Sequence, residues 1–388
     1  MSVNTMSFED ASTILNSIRK QVTGEEDIAI ENSGDFVSVA TTLLQAGYDP
    51  VLSAITQLIS RTIFSIRPYN RKFGGIAKDS EQWGSIVRKL SIADKDWETD
   101  VRFELEDGES VDMYKVNKPN ILQTNFYGAN TFNRHITIFR DQLDNAFRSV
   151  DEFGRFMSMV TQNVSDMTEQ AHEGIARMTI ANFVGGKYTA QNGVIHLLTE
   201  YNAVTGESLD STTVYDPANF PNFIKWMFAR IATLTALMTE RSVEFQMNVT
   251  GKEVTRHTPF SMQKVYLFNP LLQEMNARVL ADTFNDSFLK FADVEPVNYW
   301  QSIDTPDELK VKPSYMGTDG NIITGDDTTI ENLVGVIFDR DALGYTTIHQ
   351  WSATSPFNVS GGYWNTYYKF TERWYNDFTE KGIVLLLD

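Results

Sequence analysis

From Ser149 to Gly186 the chain reads SVDEFGRFMSMVTQNVSDMTEQAHEGIARMTIANFVGG. Apolar residues recur there at gaps of three and four: Phe153, Phe156, Met157, Val160, Val164, Met167, Ala171, Ile175, Met178 and Ala181. That spacing lays them along one stripe of an α-helix. Ser149 and Glu152 have capping-box spacing, in which each side chain can bond the other's backbone N–H. Gly185 and Gly186 are expected to end the helix, where a left-handed residue is needed. About 34 residues at ~1.5 Å each span roughly 50 Å. That is longer than a small domain is wide, so the helix is expected to be a spine with other elements laid across it. Arg155, Gln162, Asp166, Glu169 and Arg177 fall on the opposite, polar face.

Upstream, Phe8, Ala11, Ile14, Leu15 and Ile18 suit a short amphipathic helix. A polar break, TGEEDIAIENSGD, follows it, and residues 36–66 are rich enough in apolar side chains to be packed, with Pro50 marking a boundary. The period changes to two at Trp97. Trp97, Thr99, Val101, Phe103 and Leu105 alternate with Glu98, Asp100, Arg102, Glu104 and Glu106, which predicts a strand with one apolar and one charged face. Asp107-Gly108 is a hairpin turn signal, and Val111 and Met113 are expected on the return strand. A two-stranded hairpin is marginal alone. Its apolar row therefore packs on its own domain or lies as an arm on a neighbouring subunit. The second reading makes Trp97, Val101, Phe103, Leu105, Val111 and Met113 the candidate interface residues.

Further strands are predicted at Arg134–Phe139, joined to the spine by RDQLDNAF, and at Gly193–Leu198. The stretch 199–215 reads as a polar excursion. After Pro217 and Pro221 comes a helix with Phe223, Met227, Ile231, Leu234 and Met238 inward. KVYLF at Lys264–Phe268 reads as a buried strand that runs through Asn269-Pro270 into a third helix, LLQEMNARVLADTFNDSF. Residues 302–332 are turn-rich and read as an exposed loop. Strands follow at Leu333–Phe338, in WNTYYKFTERWYNDF and in GIVLLLD. Helices and strands are segregated irregularly and no internal repeat is present, so the expected class is α+β rather than a doubly wound sheet.

Composition narrows the function. The 388 residues can bury a large core, and 42 % hydrophobic with 12 % aromatic side chains is globular. There is no cysteine, which excludes disulfides and thiolate metal sites. The N-terminus lacks a signal-peptide pattern, and no apolar run of about 18 residues suggests a membrane span. A net charge of −18 argues against tight binding of nucleic acid and is read first as solubility.

No catalytic residue, cofactor or metal is predicted. Phosphate loops, dinucleotide fingerprints, GxSxG and HExxH are absent. Glu169 and His172 have the ExxH spacing of di-iron bundles, but those sites need a second such pair and two further glutamates, so a solvated helix face is expected. Asp319, Asn321, Asp326 and Asp327 could face a hard cation, yet their spacing does not fit a calcium loop. His135, His172, His196, His257 and His349 are scattered, and spacing alone assembles no nucleophile, base and orienting group. Tyr363, Trp364, Tyr367, Tyr368, Phe370, Trp374 and Tyr375 are read as two-sided burial in a sheet rather than as a stacking platform for sugars or bases.

The order of these elements resembles a known family. Strand ITIF, linker RDQLDNAF, capping SVDEF, long helix and Gly-Gly resemble the start of the P domain and spine helix of tailed-phage major capsid proteins of the Hong Kong 97 fold. KVYLFNPLLQEM is similar to that family's A-domain strand and following helix. GVIFDRDALGYTTI, WNTYYKFTERWYNDF and GIVLLLD are similar to its closing strands. The Asp107-Gly108 hairpin falls where the extended E-loop lies. KPNILQTNFYG and WNTYYKF most resemble the head protein of small phi 29-type podophages, although the immunoglobulin-like domain that follows the core in that group is not expected here.

The resemblance implies an N-terminal arm and helices (residues 1–66), an E-loop hairpin region (67–131), a P domain with the spine (132–192), an A domain (193–350) and closing strands of the core (351–388). It also implies a non-enzymatic virion protein, assembled in the host cytoplasm into pentamers and hexamers of an icosahedral or prolate head. Its partners would be other copies of itself, a scaffolding protein, a portal protein and weakly, nonspecifically held double-stranded DNA, with no membrane. Two other readings stay open at this stage: an encapsulin-like compartment shell of the same fold, and an acidic soluble hydrolase.

Overall fold

A computed structural model describes residues 7–25, 27–61, 71–78, 86–93, 104–114, 116, 118–278 and 293–388. The spine is longer than its sequence signals implied: α5 runs Val150–Thr189, 40 residues, or roughly 60 Å. Three helices precede it at the N-terminus, α1 (Phe8–Thr23), α2 (Ser33–Ala46) and α3 (Tyr48–Arg61). The segment RDQLDNAF, expected as a linker, forms a helix, α4 (Arg140–Ala146), on which Leu143 and Ala146 turn inward. The later helices are α6 (Leu197–Thr205), α7 (Phe220–Thr239) and α8 (Asn269–Arg278).

The capping and termination of α5 correct the sequence reading. Ser149 does accept from Glu152 N at 3.2 Å. Gly185 and Gly186, however, lie inside the helix. They are small because other elements press on them: a Cβ at Gly185 would stand 2.5 Å from Val311 Cγ1, and one at Gly186 2.7 Å from the Phe378 ring. The chain leaves the helix a few residues later, through Gln191 at φ 50° and Gly193 at φ 71°.

Two sheets carry most of the strands. The first has the order β12 (Leu343–Thr354), β13 (Tyr363–Asn376) and β3 (Asn130–Phe139), all antiparallel. The second has the order β4 (Val194–His196), β14 (Gly382–Leu386), β11 (Leu333–Asp339), β5 (Gln263–Phe268) and β6 (Asp293–Val297). Its two outer pairings are parallel and its two inner ones antiparallel. Residues 302–332 are not simply a loop. They hold β7 (Leu309–Val311), β8 (Ser314–Met316), β9 (Ile322–Thr324) and β10 (Thr328–Ile330), paired as β7–β10 and β8–β9. Leu309 and Ile330 there are buried.

Three apolar cores result. Successive side chains of a strand point to opposite faces, so β14 sends Val384 and Leu386 to one core and Ile383 and Leu385 to another. The first of these cores also takes Ile175, Ile180, Phe183 and Val184 of the spine. The second takes the five residues predicted to point inward from α7 (Phe223, Met227, Ile231, Leu234 and Met238), every one fully or almost fully buried. The third joins Ala11, Leu15 and Ile18 of α1 and Phe36 of α2 to Phe153, Phe156, Met157 and Val160 of the spine and to Trp364 of β13.

Between the third core and the first the spine is thinly covered. No described residue from Gln162 to His172 is buried; Val164 and Met167, expected to face the core, are half-buried, and Met178 is exposed. Arg177, assigned from sequence to the polar face, instead stacks between the Phe73 and Tyr299 rings and donates to Tyr299 O at 2.7 Å.

Candidate subunit interface

The stretch expected to form an arm is flanked by a two-stranded stem that the sequence reading missed. β1 (Ile86–Ile92) and β2 (Ile121–Tyr127) pair antiparallel from Ile86↔Tyr127 to Ile92↔Ile121. Ala93 N then donates to Asn120 O at 2.8 Å. The chain between Ala93 and Asn120 therefore leaves and returns at one point. On this ladder exposure alternates with the pleat, as it does for a sheet covered on one face only. Lys89, Ser91, Leu122, Thr124 and Phe126 are half-buried on the inner face. The outer face carries Leu90, Ile92, Ile121 and Tyr127, which are 63 %, 67 %, 46 % and 77 % exposed.

Of the six residues proposed from sequence, Trp97, Val101 and Phe103 lie outside the described residues. Leu105, Val111 and Met113 are exposed. The Asp107-Gly108 signal does mark a turn: Glu109 N donates to Glu106 O at 3.0 Å and Gly108 has φ 95°. Asp107 keeps a negative φ, so the turn is not the doubly left-handed hairpin type. The return strand expected at Val111 and Met113 is irregular chain. The signal that could have located the stem is ILQTNFYG, a β-rich run closed by Gly128 at φ 94°.

The other candidates resolve into structural roles. Arg71 NH1 lies 2.7 Å from His172 Nδ1, and His172 Nε2 lies 2.9 Å from Glu372 Oε1. A guanidinium only donates, so Nδ1 accepts and Nε2–H donates to the carboxylate. His172 thus links the spine to β13 and to the segment that leads into the arm. Glu169 stands 3.7 Å from the same arginine. Asp319 accepts from Asn321 N at 3.0 Å and from Asn321 Nδ2 at 2.8 Å, bonds that hold its carboxyl below the usual range. Among the described residues no group of three or more His, Asp or Glu is arranged to hold a metal. The aromatic run lies on β13, the central strand of its sheet, where Phe370 stacks on Phe132 and Trp364 is buried against Phe357 and Tyr48.

Among solved structures, the capsid of Staphylococcus phage Andhra is similar with a TM-score of 0.53 and 11 % identity, covering 84 % of this chain and 87 % of that one. A structure of head fiber and inner core protein of native bacteriophage P68 gives 0.49 and 10 % over 84 % and 87 %. The asymmetric unit of the bacteriophage PhiM1 mature capsid gives 0.45 and 7 % over 84 % and 90 %. No curated protein matches the sequence. A long spine crossing a two-faced mixed sheet is the Hong Kong 97-like fold of phage major capsid proteins. Residues 15–385 match the model of the Phi29-like phage major capsid protein family. The chain belongs to the Phi29-like phage major capsid protein family. It is a structural protein of the virion that assembles with copies of itself into the capsid shell.

Proposed function

We propose that the shell closes by each subunit laying its arm on a neighbour, which covers Leu90, Ile92, Ile121 and Tyr127 of the stem together with Leu105, Val111 and Met113 further out. The supporting observation is the one-sided exposure of β1 and β2: a row of large apolar side chains on a two-stranded sheet is an association surface if covered and an aggregation hazard if not. Pentamers and hexamers built in this way form in the host cytoplasm around a scaffolding protein, with a portal protein admitting double-stranded DNA. A net charge of −18 opposes tight binding of that DNA and leaves only weak, nonspecific contact, which suits packing and release. The protein has no catalytic role in this reading.

Leu90→Asp tests it. Covering one such side chain contributes about 1.5–3 kcal/mol, and the contact recurs in every subunit, so small losses accumulate over a closed shell. The variant is expected to keep the parent circular dichroism and to form no shells by negative-stain microscopy, while Glu207→Gln, at an exposed position outside the arm, assembles. Normal assembly of Leu90→Asp would remove the outer face from the interface.

A further inference from the structure

The inner face of the stem is held to its own subunit by charge, and among the described residues none from β1 through β2 belongs to any of the three apolar cores. Its anchor is the corner Asp377–Lys381, where β13 of the three-stranded sheet turns into β14 of the five-stranded one. The corner is buried throughout, at 7 % exposure or less for every residue. Lys89 Nζ enters it from β1, 2.5 Å from Asp377 Oδ2 and in contact with Glu380 Oε1. Arg256 completes the cluster, with NH1 3.1 Å from Glu380 Oε1 and NH2 donating to Ser91 Oγ of the stem at 2.8 Å. Apolar contact adds to it: Phe126 meets Tyr375 with ring centroids 4.9 Å apart, and Leu122 is half-buried on the same face.

We infer that Lys89 is the positioning residue of the arm: clamped between Asp377 and Glu380, it ties the direction of the β1–β2 stem to the corner that joins the two sheets. The inference rests on the reading of the arm as an assembly element. Lys89 and Arg256 are the described cations in direct contact with these carboxylates; Lys381, also in the corner, donates instead to Glu240 O and Ser242 Oγ, and Lys187 attracts Asp377 without an ion-pair contact. Removing Lys89 leaves Arg256, on Glu380, as the one described cation still in direct contact with the two buried carboxylates, and letting the stem lift away restores their hydration. Burial works against the Lys89 ammonium, yet Asp377 and Glu380 outweigh it and hold its pKa above the usual lysine value. Burial pushes the Glu380 carboxyl up despite Lys89 and Arg256, so both values rise, which favours the charged lysine but disfavours the charged glutamate. The short contact to Asp377 decides for the ionised lysine. Undocking breaks none of the stem's ladder hydrogen bonds, which run between β1 and β2. A rotation of one sheet against the other moves the corner, and the arm turns with it.

The chain has no cysteine, so a single introduced thiol reports on the latch. Thr124 is the cross-strand partner of Lys89 and half-buried on the inner face. In Thr124→Cys, labelling by a thiol reagent is measured on dispersed subunits, where it does not depend on shell formation. Adding Lys89→Met is expected to speed labelling at least about tenfold, the loss of roughly 1.4 kcal/mol of docking. Adding Lys89→Arg restores the slow rate, and a reference Leu90→Cys on the outer face labels at one rate in every background. If Lys89→Met does not fold, the Lys89→Met/Glu380→Gln pair, in which one carboxylate leaves with the ammonium, is expected to fold and label fast. Raising salt from about 0.05 M to about 1 M in the Lys89 parent is expected to speed labelling as well. Slow labelling in folded Lys89→Met, or in the folded pair, overturns the latch. So does a parent rate indifferent to salt when neither variant folds. Fast labelling with normal shells would leave the latch standing and count against the assembly role of the arm.

Discussion

Alanine should act with opposite signs at two glycines of the spine. Gly174 is exposed within the helix, and no heavy atom lies within 4 Å of the place its Cβ would take. Gly174→Ala therefore gains the helix-propensity difference, about 0.8–1 kcal/mol. At Gly186 a Cβ would lie 2.7 Å from two atoms of the Phe378 ring and 2.9 Å from Tyr315 Cβ. Carbon atoms sit comfortably at about 3.5–4.0 Å, so the ring has to retreat by about 1 Å. It has nowhere to go, being 4 % exposed and stacked on Phe183 at 5.4 Å. Overpacking a filled core costs about 1–3 kcal/mol. With two close approaches Gly186→Ala belongs near the top of that range, and after the propensity gain the net loss is about 1–2 kcal/mol. Equilibrium urea unfolding of dispersed subunits measures both. At a slope of about 3 kcal/mol/M, the two midpoints separate by roughly 0.7–1 M, with the parent between them. Phe378→Leu in the Gly186→Ala background should recover part of the loss, because the sites touch and their effects are not additive. A Gly186→Ala variant as stable as the parent would refute the close-packing argument.

His172→Ala should weaken the subunit by about 1–3 kcal/mol in the same assay, since it strips a donor from the fully buried Glu372, and should leave metal content unchanged; stoichiometric metal that disappears with the histidine would contradict its structural role. Burial lowers the Lys187 pKa to about 7, against the attraction of Asp377. The unfolded chain keeps that proton up to the ordinary lysine range, near 10.4. Between these values the unfolded state holds more protons, so this group makes stability rise with pH, by at most about 1.4 kcal/mol per unit. Lys187→Met should flatten the stability curve between about pH 7 and pH 9, and an unchanged slope would show that the amine is not the titrating group.

The sequence showed long periodic elements well and contacts between distant segments poorly. The inward row of α7 could be read because five spaced apolar residues, Phe223 to Met238, lie on a helix covered along its whole length. Met178 was misplaced because the spine passes from one core to another and its buried stripe shifts to Ile180, Phe183 and Val184. Gly185 and Gly186 looked like a stop signal since nothing local distinguishes a glycine that turns from one that admits Val311 or Phe378. The three-residue strands β7 to β10 are too short to show a period. The stem hid because both faces mix polar and apolar side chains: Lys89, Ser91 and Thr124 share the inner face with Leu122 and Phe126, and Arg88, Gln123 and Asn125 share the outer face with Leu90, Ile92, Ile121 and Tyr127, so no period-two alternation of hydrophobicity appears. Its partners, Asp377 and Glu380, lie nearly three hundred residues away in sequence.

The thinly covered middle of the spine separates the subunit into regions that can lose structure independently. Along one helix the backbone hydrogen bonds of Phe153 to Val160 and of Ile175 to Val184 are shielded by different cores, while those between Gln162 and His172 are only partly covered, by half-buried side chains and the polar contacts of His172 and Glu169. Isolated helical turns of that length are marginal in water. Amide exchange along α5 should therefore run slow, fast, slow. Heat or denaturant can then release α1 to α3 and the start of the spine while the five-stranded sheet is still intact, so a shell subunit can loosen at one end without letting go at the other.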